Sequence, residues 1–406
     1  MFLGDLISIH GVASGRPSAE QRSHFSREPA AVQPPAVWRQ SRQVPWPTPA
    51  RKLKSFQLSA DADRIVVAEI VAEPSGERSI LLRFITDRNV THSIPLKAVA
   101  ARFAKPIDDG CGNTIVFWQN DTSSGLDEGG IWHARFDGTR WSVPKILTVP
   151  RQVAWMPDHG QPIRLSECKV GLSVAAASMD GTFAYSLVVV GRQIVAVSPI
   201  VERALPLGDL LSRSNMLYFA YQSTVFDERQ SAYRAAVTVL RSQNGGRSWR
   251  MVRIDTLPGQ DVALTVDLAI SRESIVIATV SWQGFSDNGT RLLTVRSLDT
   301  GTAQHYRTVA SQIADFQFIA SPCHSPTFVN PTYSPHSGPT FNFSMLTGSD
   351  WKVDSNGLAA STSFVVSSRI ATAPFGVAIV SIANENENAR APMSAAVTLS
   401  RCNKAR

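Results

Sequence analysis

The 406-residue chain is short of cysteine, of charge and of long apolar runs, and each shortage excludes something. Its four cysteines, Cys111, Cys168, Cys323 and Cys402, show no C-x-x-C spacing, so neither a zinc ribbon nor a dithiol redox motif is written in the sequence. They leave open two disulfides in any of three pairings in an exported protein, or buried thiols. Charged residues make up only 18%, and the formal net charge of +7 is spread along the chain with no long basic run. That distribution reads as solvated surface, and no nucleic-acid partner is expected. No apolar run reaches the roughly 18 residues of a membrane span, so a soluble protein without one is expected. The first residues, MFLGDLISIHGVASG, lack a basic start and carry Asp5 and His10 within the apolar stretch. A signal peptide is therefore not expected; the protein is extracellular or periplasmic if a signal lies upstream, and otherwise cytoplasmic. There is no phosphate-cradling Gly loop and no nucleophile elbow, and no cofactor is expected.

What the chain does have is β-pattern. Residues 1–50 are rich in Pro, Ser, Arg and Gln and read as a largely disordered segment, with Trp38 and Trp46 marking a docked stretch within 36–46. From Arg51 to the end, short apolar runs alternate with polar turns, and the pattern aligns with itself. Leu53 to Leu96 matches Val266 to Val309, each reading as four strands; Ile65 to Ile70 matches Ile275 to Val280 as the unbroken apolar run of a strand buried on both faces.

The strongest local motif lies in YRAAVTVLRSQNGGRSWRMVRI, residues 233–254. Its centre, Ser242-Gln243-Asn244-Gly245-Gly246-Arg247-Ser248-Trp249, resembles the Asp box of the sialidase-like β-propellers, Ser/Thr-x-Asp-x-Gly-x-x-Trp, with Asn244 in the Asp position. A short Asn side chain accepts turn N–H groups much as Asp does, Gly246 suits a positive φ, and Trp249 covers the turn. Weaker copies are Asp137-Gly138-Thr139-Arg140-Trp141, Ser297-Leu298-Asp299-Thr300-Gly301 and Thr347-Gly348-Ser349-Asp350-Trp351. Trp141, Trp249, Tyr306 and Trp351 are separated by 108, 57 and 45 residues, a repeat of about 50 that fits a four-stranded blade. The fold expected is an all-β propeller over 51–406, of four-stranded antiparallel blades. Strand counting gives seven, or six if the Pro-rich stretch from Pro322 to Pro339 collapses into its neighbour. Blade four is expected from Met216, and blade six is expected to be broken by a long loop. The C-terminus stops one strand short of a blade, so a strand from 36–46 is expected to close it.

The resemblance implies a carbohydrate-directed protein with its site at the channel mouth. A sialidase-type glycoside hydrolase would use an Arg cluster on a substrate carboxylate, an Asp acid/base and a Tyr activated by Glu. The residues matching that pattern are Arg64, in Asp63-Arg64-Ile65-Val66, and Glu228 and Arg234 before the best box; Tyr221, Tyr233 and Tyr333 are nucleophile candidates, each also explained by packing. Trp118, Trp132 and Trp155 suit either a sugar platform or the core. Cys323, His324 and His336 lack further ligands nearby, so no metal is expected. Two readings stand open: a glycoside hydrolase, or a non-catalytic, monomeric propeller that binds a glycan or glycoprotein through its face.

Overall fold

The computed structural model describes residues 38–45, 53–60, 64–86, 89–98, 100–120, 130–147, 154–155, 161–166, 168–178, 181–192, 194–205, 207–228, 231–257, 263–271, 274–283, 290–298, 303–308, 317–319, 327–334, 338–347, 350–359, 364–373, 376–384 and 393–402. Among them the strands form seven antiparallel sheets, taken here in chain order. Sheet one is built from Leu53–Ala60, Ile65–Ala72, Arg78–Ile85 and Val90–His92, with Leu96–Lys97 beside the third strand. Sheet two runs Ala101–Asp108, Thr114–Asn120, Ile131–Phe136 and Lys145–Leu147. In sheet three, Ala154–Trp155 and Ile163–Arg164 share the edge of Val170–Ala177, followed by Phe183–Val190 and Ile194–Ala204.

Sheet four contains Gly208–Arg213, Met216–Asp227, Ala232–Ser242 and Arg250–Thr256; sheet five contains Ala263–Ser271, Ser274–Gln283, Thr290–Ser297 and Ala303–Thr308. The sixth is Gln317–Ile319, Thr327–Ser334, Gly338–Thr347 and Asp350–Ala359. In the seventh, Phe364–Ala373, Gly376–Asn384 and Met393–Cys402 are followed by the N-terminal strand Trp38–Pro45, which places Trp38 opposite Cys402 and Pro45 opposite Ala396. The compact unit accordingly starts at Ala36.

The first strands of consecutive sheets touch one another in sequence, and Phe364–Ala373 returns to Leu53–Ala60, closing a ring. Packing within the ring explains the apolar runs, interrupted only by Glu69 in the first and Thr279 in the second. Ile65, Val66, Val67, Ala68 and Ile70 are all fully buried because both faces of their strand meet a neighbouring sheet. Val66, Ala68, Ile80 and Leu82 pack with Ala104, Val116 and Trp118 between sheets one and two; Ile115 and Phe117 meet Leu172, Val174 and Val188 between two and three; Tyr185 and Leu187 meet Phe219 between three and four. Each fully buried Ile, Leu or Phe in these seams contributes about 2 to 3 kcal/mol of burial.

Two expectations differ from the structure. Sheet four opens with Gly208–Arg213, ahead of Met216, because Asp209 interrupts an otherwise apolar run. The Pro-rich stretch carries paired strands, with Pro331 opposite Phe341 and Pro339 opposite Tyr333; the paired positions hold although Pro contributes no ladder N–H. Pro322 and Pro326 lie outside the described residues.

Because strands alternate in direction, turns joining first to second and third to fourth strands emerge at one end of a sheet, and second-to-third hairpins at the other. Contacts between neighbouring sheets keep the ends level. Arg64, in the first turn of sheet one, pairs with Asp108 in the first turn of sheet two, and Cys111 in that turn forms a disulfide with Cys168 in the corresponding turn of sheet three, Cα to Cα 5.4 Å. Arg135 donates to the Gly191 carbonyl (2.6 Å) and Ser198 Oγ to the Gly246 carbonyl (2.8 Å) at the same end. This end is called the turn face, and the other the hairpin face.

Candidate functional site

The turn at 242–249 joins the third and fourth strands of sheet four, on the turn face. Ser242 Oγ accepts the Gly246 N–H (2.9 Å), and Asn244 Oδ1 accepts the Ser248 N–H (2.9 Å) while its Nδ2 donates to Ser248 Oγ (2.8 Å). Gly245 and Gly246 have φ of +68° and +89°, and Trp249 packs edge-on against Phe219 with centroids 6.5 Å apart. The side chains of Ser242 and Asn244 are spent on the turn's own N–H and hydroxyl groups, and the Gly246 carbonyl accepts Ser198 from sheet three, so the turn's work is to close the hairpin and fasten it to its neighbour. The turn at Asp137 is similar: one carboxylate oxygen accepts the Thr139 and Arg140 N–H groups (2.9 and 2.8 Å), which holds the carboxyl well below its usual range, and Trp141 lies over Phe136 at 5.1 Å.

Arg64 lies on the same face. Its guanidinium pairs with the Asp108 carboxylate and stands 5.0 Å over the Phe84 ring, and Asp108 also accepts the Gly110 N–H at 2.8 Å. Beside it Asp109 takes Arg135 at 3.1 Å. Arg64 is thus engaged in joining sheets one and two.

Glu228 and Arg234 sit together on the opposite face, on the second hairpin of sheet four. Arg234 Nη1 meets Asp227 Oδ2 at 3.1 Å, and Glu228 is exposed at the tip. Arg234 is seven residues along its strand from Arg241 at the turn face, a rise of about 23 Å. Arg64 and the pair Glu228/Arg234 are therefore not brought into one cleft. Of the tyrosines, Tyr221 is buried and burial pushes its hydroxyl pKa up, whereas Tyr233 is 74% exposed rather than packed. Trp118 is buried and stacked on Trp132, centroids 6.4 Å apart, which places both in the core. The side chains of Tyr333 and Trp155, and Cys323, His324 and His336, lie outside the described residues. Among the described residues no group of three His, Cys, Asp or Glu side chains is placed to hold a metal.

The hairpin bearing Glu228 and Arg234 has a further property. Its strands, Met216–Asp227 and Ala232–Ser242, are paired to the tip, Asp227 opposite Ala232, but their outer neighbours last bond to them at Leu205 and Leu207 with Gln222 and at Leu257 with Ala235. Beyond those positions, among the described residues, a two-stranded ribbon projects from the sheet. Phe226 and Tyr233 face each other across it, 50% and 74% exposed, rings edge to face at 5.3 Å.

Sequence reasoning also missed a polar group on the inner strands. Asp209, buried but 8% exposed, accepts the N–H of Leu210 (2.9 Å) from its own strand and of Leu268 (2.8 Å) from the first strand of sheet five. Burial pushes its carboxyl up to about 7 against these hydrogen bonds, the nearby charge of Lys105 and the Gln161 N–H. Lys105 is itself 1% exposed, and Asp267 is pushed well up by burial and by the charge of Asp209. The signal in the sequence was an acid in the middle of an apolar strand. One carboxyl held by two inner strands and by Gln161, beside the first strands of sheet three, is chiefly a clasp for the ring.

No protein-family model matches the chain, and no curated protein sequence matches it. Among solved structures it is similar to the polysaccharide lyase Uly1, with TM-score 0.54, 6% identity, and 84% of this chain and 89% of that chain covered. The fold is that of a β-propeller. The propeller is also similar to a sialidase of Trypanosoma rangeli (TM-score 0.42, 11% identity, 91% and 59% covered). A third likeness is to the β-propeller domain of the Trilobed protease from Pyrococcus furiosus (TM-score 0.44, 9% identity, 86% and 96% covered). At such identities the likeness concerns the fold alone, with the seven sheets as blades.

Proposed function

We propose that this propeller binds carbohydrate through its hairpin face without hydrolysing it. The observation that carries the reading is the projecting ribbon of blade four. A two-stranded ribbon that no described strand flanks is marginal on its own, and two large rings that no described residue covers beyond each other cost solvation that burial against a partner would recover. A pyranose offers an apolar C–H face to such rings, and the Asp227–Arg234 pair with Glu228 supplies donors and acceptors for its hydroxyls. The fold-level likeness to a polysaccharide lyase agrees with this reading without carrying it. The turn at 242–249 is in keeping with an Asp box in which Asn replaces Asp, a structural role. A sialidase-type mechanism is disfavoured because Arg64 belongs to the turn face.

The test is a glycan array probed with the folded protein, with Phe226→Ala/Tyr233→Ala beside it. Burying two rings is worth at least about 1.4 kcal/mol, so affinity should fall tenfold or more in the double variant. An array without signal, or a signal indifferent to the double variant, would refute the proposal; turnover of fluorogenic glycosides that depends on both Arg64 and Glu228 would restore the hydrolase reading.

A further inference from the structure

The outer rim of blade four carries a second exposed surface, on the flank of the propeller and separate from the ribbon. Sheet four ends at Arg250–Thr256, whose far edge has no partner strand among the described residues. Such an edge presents unpaired N–H and C=O groups to any extended chain that lies against it. Other rims offer less. Those of blades one and two end in strands of 3 residues, Val90–His92 and Lys145–Leu147, and that of blade three contains Pro199.

The side chains of the rim strand are sorted into two rows. Residues directly opposite one another on paired strands share a face. Met251 lies opposite Leu240 and Ile254 opposite Thr238, whereas Arg250 lies opposite Arg241 and Arg253 opposite Val239. A register shift at Val252 does the sorting, because the extra residue places Met251 and Ile254 on one side although an odd number of steps separates them. Met251, Val252 and Ile254 are 60%, 40% and 41% exposed, a concentration of apolar surface on one strand. On the other side Arg253 shares Asp255 with Arg296 of blade five. Among the described residues Arg241 and Arg250, and Arg247 in the adjoining turn, meet no carboxylate.

We infer that this rim takes up an extended segment of a partner protein, one that alternates acidic and apolar residues and adds to blade four as a further strand. Carboxylates on one side of the incoming strand meet Arg250 and Arg241, whose like charges oppose each other until an anion intervenes. Apolar side chains on its other side cover Met251 and Ile254. Charge and pattern select against other occupants: a second copy of the strand brings arginines of its own, and a polyanion leaves the apolar row uncovered.

Fluorescence anisotropy on the full chain tests the inference, the probe being a labelled peptide that alternates Glu and Val over the length of the rim strand. It should bind, and more weakly as salt rises. N-methylation of the peptide's backbone amides should lower affinity about tenfold or more by removing the ladder bonds, and Arg250→Glu should do the same by setting like charges across the contact. Met251→Ser/Ile254→Ser should weaken binding severalfold, and Phe226→Ala/Tyr233→Ala should leave it unchanged. Arg250, Met251 and Ile254 are exposed, so their variants keep the fold, which a thermal midpoint close to the parent's verifies. No binding, affinity indifferent to N-methylation, to Arg250→Glu or to Met251→Ser/Ile254→Ser, or binding lost with the ribbon would each overturn it. So would heparin held more tightly than the peptide, which would make the rim a polyanion site, or self-association abolished by Arg250→Glu, which would make the occupant a second copy.

Discussion

Replacing Gly246 by Ala should destabilise the propeller far more than the same change one residue earlier. Both glycines have positive φ, so an added methyl costs backbone strain of about 1 to 2 kcal/mol at either place. The surroundings differ. A Cβ on Gly245 would meet nothing within 4 Å, whereas one on Gly246 would lie 2.2 Å from Leu187 Cδ2 of blade three. That methyl must move within a seam also holding Tyr185, Leu217 and Phe219, and overpacking of this kind costs about 1 to 3 kcal/mol. Motion of the turn away from Leu187 would also stretch the Gly246 N–H bond to Ser242 and the Ser198 bond to its carbonyl. The expected losses are thus about 1 to 2 kcal/mol for Gly245→Ala and about 2 to 5 kcal/mol for Gly246→Ala, read from urea midpoints at constant slope. Equal losses would show that the turn does not press on blade three, and would undo the account of it as a staple between blades.

Further outcomes follow from the stitches between blades. Cys111→Ser/Cys168→Ser opens a loop spanning 57 residues and should cost up to about 4 kcal/mol by the loop-entropy relation, seen as a lower thermal midpoint that reductant no longer shifts. Arg64→Ala leaves the Asp108 carboxylate, 5% exposed, without its guanidinium, and should cost about 1 to 3 kcal/mol while glycan-array binding stays unchanged. On pH, Asp209 has its folded pKa raised to about 7, so its contribution favours folding below the unfolded value near 3.9 and is lost as pH climbs to 7, about 4 kcal/mol in all. His133 is opposite: burial first, then Lys145 and Arg135, lowers it to about 4, so stability is full above about 6.5 and lost as pH falls toward 4. Asp267, also pushed up by burial, slopes the same way as Asp209. Relative to the parent, Asp209→Asn should therefore shift the pH of greatest stability upward and His133→Gln should shift it downward; thermal midpoints whose pH profiles match the parent's in both variants would contradict the assignments.

The architecture was legible where one side chain's environment is set by its own strand. Ile65 to Ile70 reads as doubly buried because apolar side chains fall on both faces, Glu69 alone being charged and paired with Arg83 of the next strand, and the four-strand unit recurs in Val266 to Val309 for the same reason. Legibility failed where the environment comes from another blade. Gly208–Arg213 is hard to recognise as a strand because Asp209 is tolerable there only through backbone N–H groups supplied by Leu268 and Gln161, which are 59 and 48 positions away. Tyr233 and Tyr221 look alike on an alternating strand. What separates them is where neighbouring strands end: Tyr221 still has Gly208 opposite it, while among the described residues Tyr233 faces only Phe226.

The same distinction bears on function. Arg64 resembles a ligand-binding arginine only while its neighbours are those of the sequence, Asp63 and Ile65. In the fold its neighbours are Asp108 and Phe84, and the turn face around it is occupied by Asp109 with Arg135, Cys111 with Cys168, and Ser198 with Gly246. Groups committed to joining blades cannot reorganise around a ligand without loosening the ring. On the hairpin face the longest strands outrun their partners and end in rings that no other blade covers among the described residues. With the ribbon as the proposed binding face, stability and recognition would be divided between the two ends of the propeller, and substitutions should sort the same way: turn-face variants by melting, ribbon variants by binding.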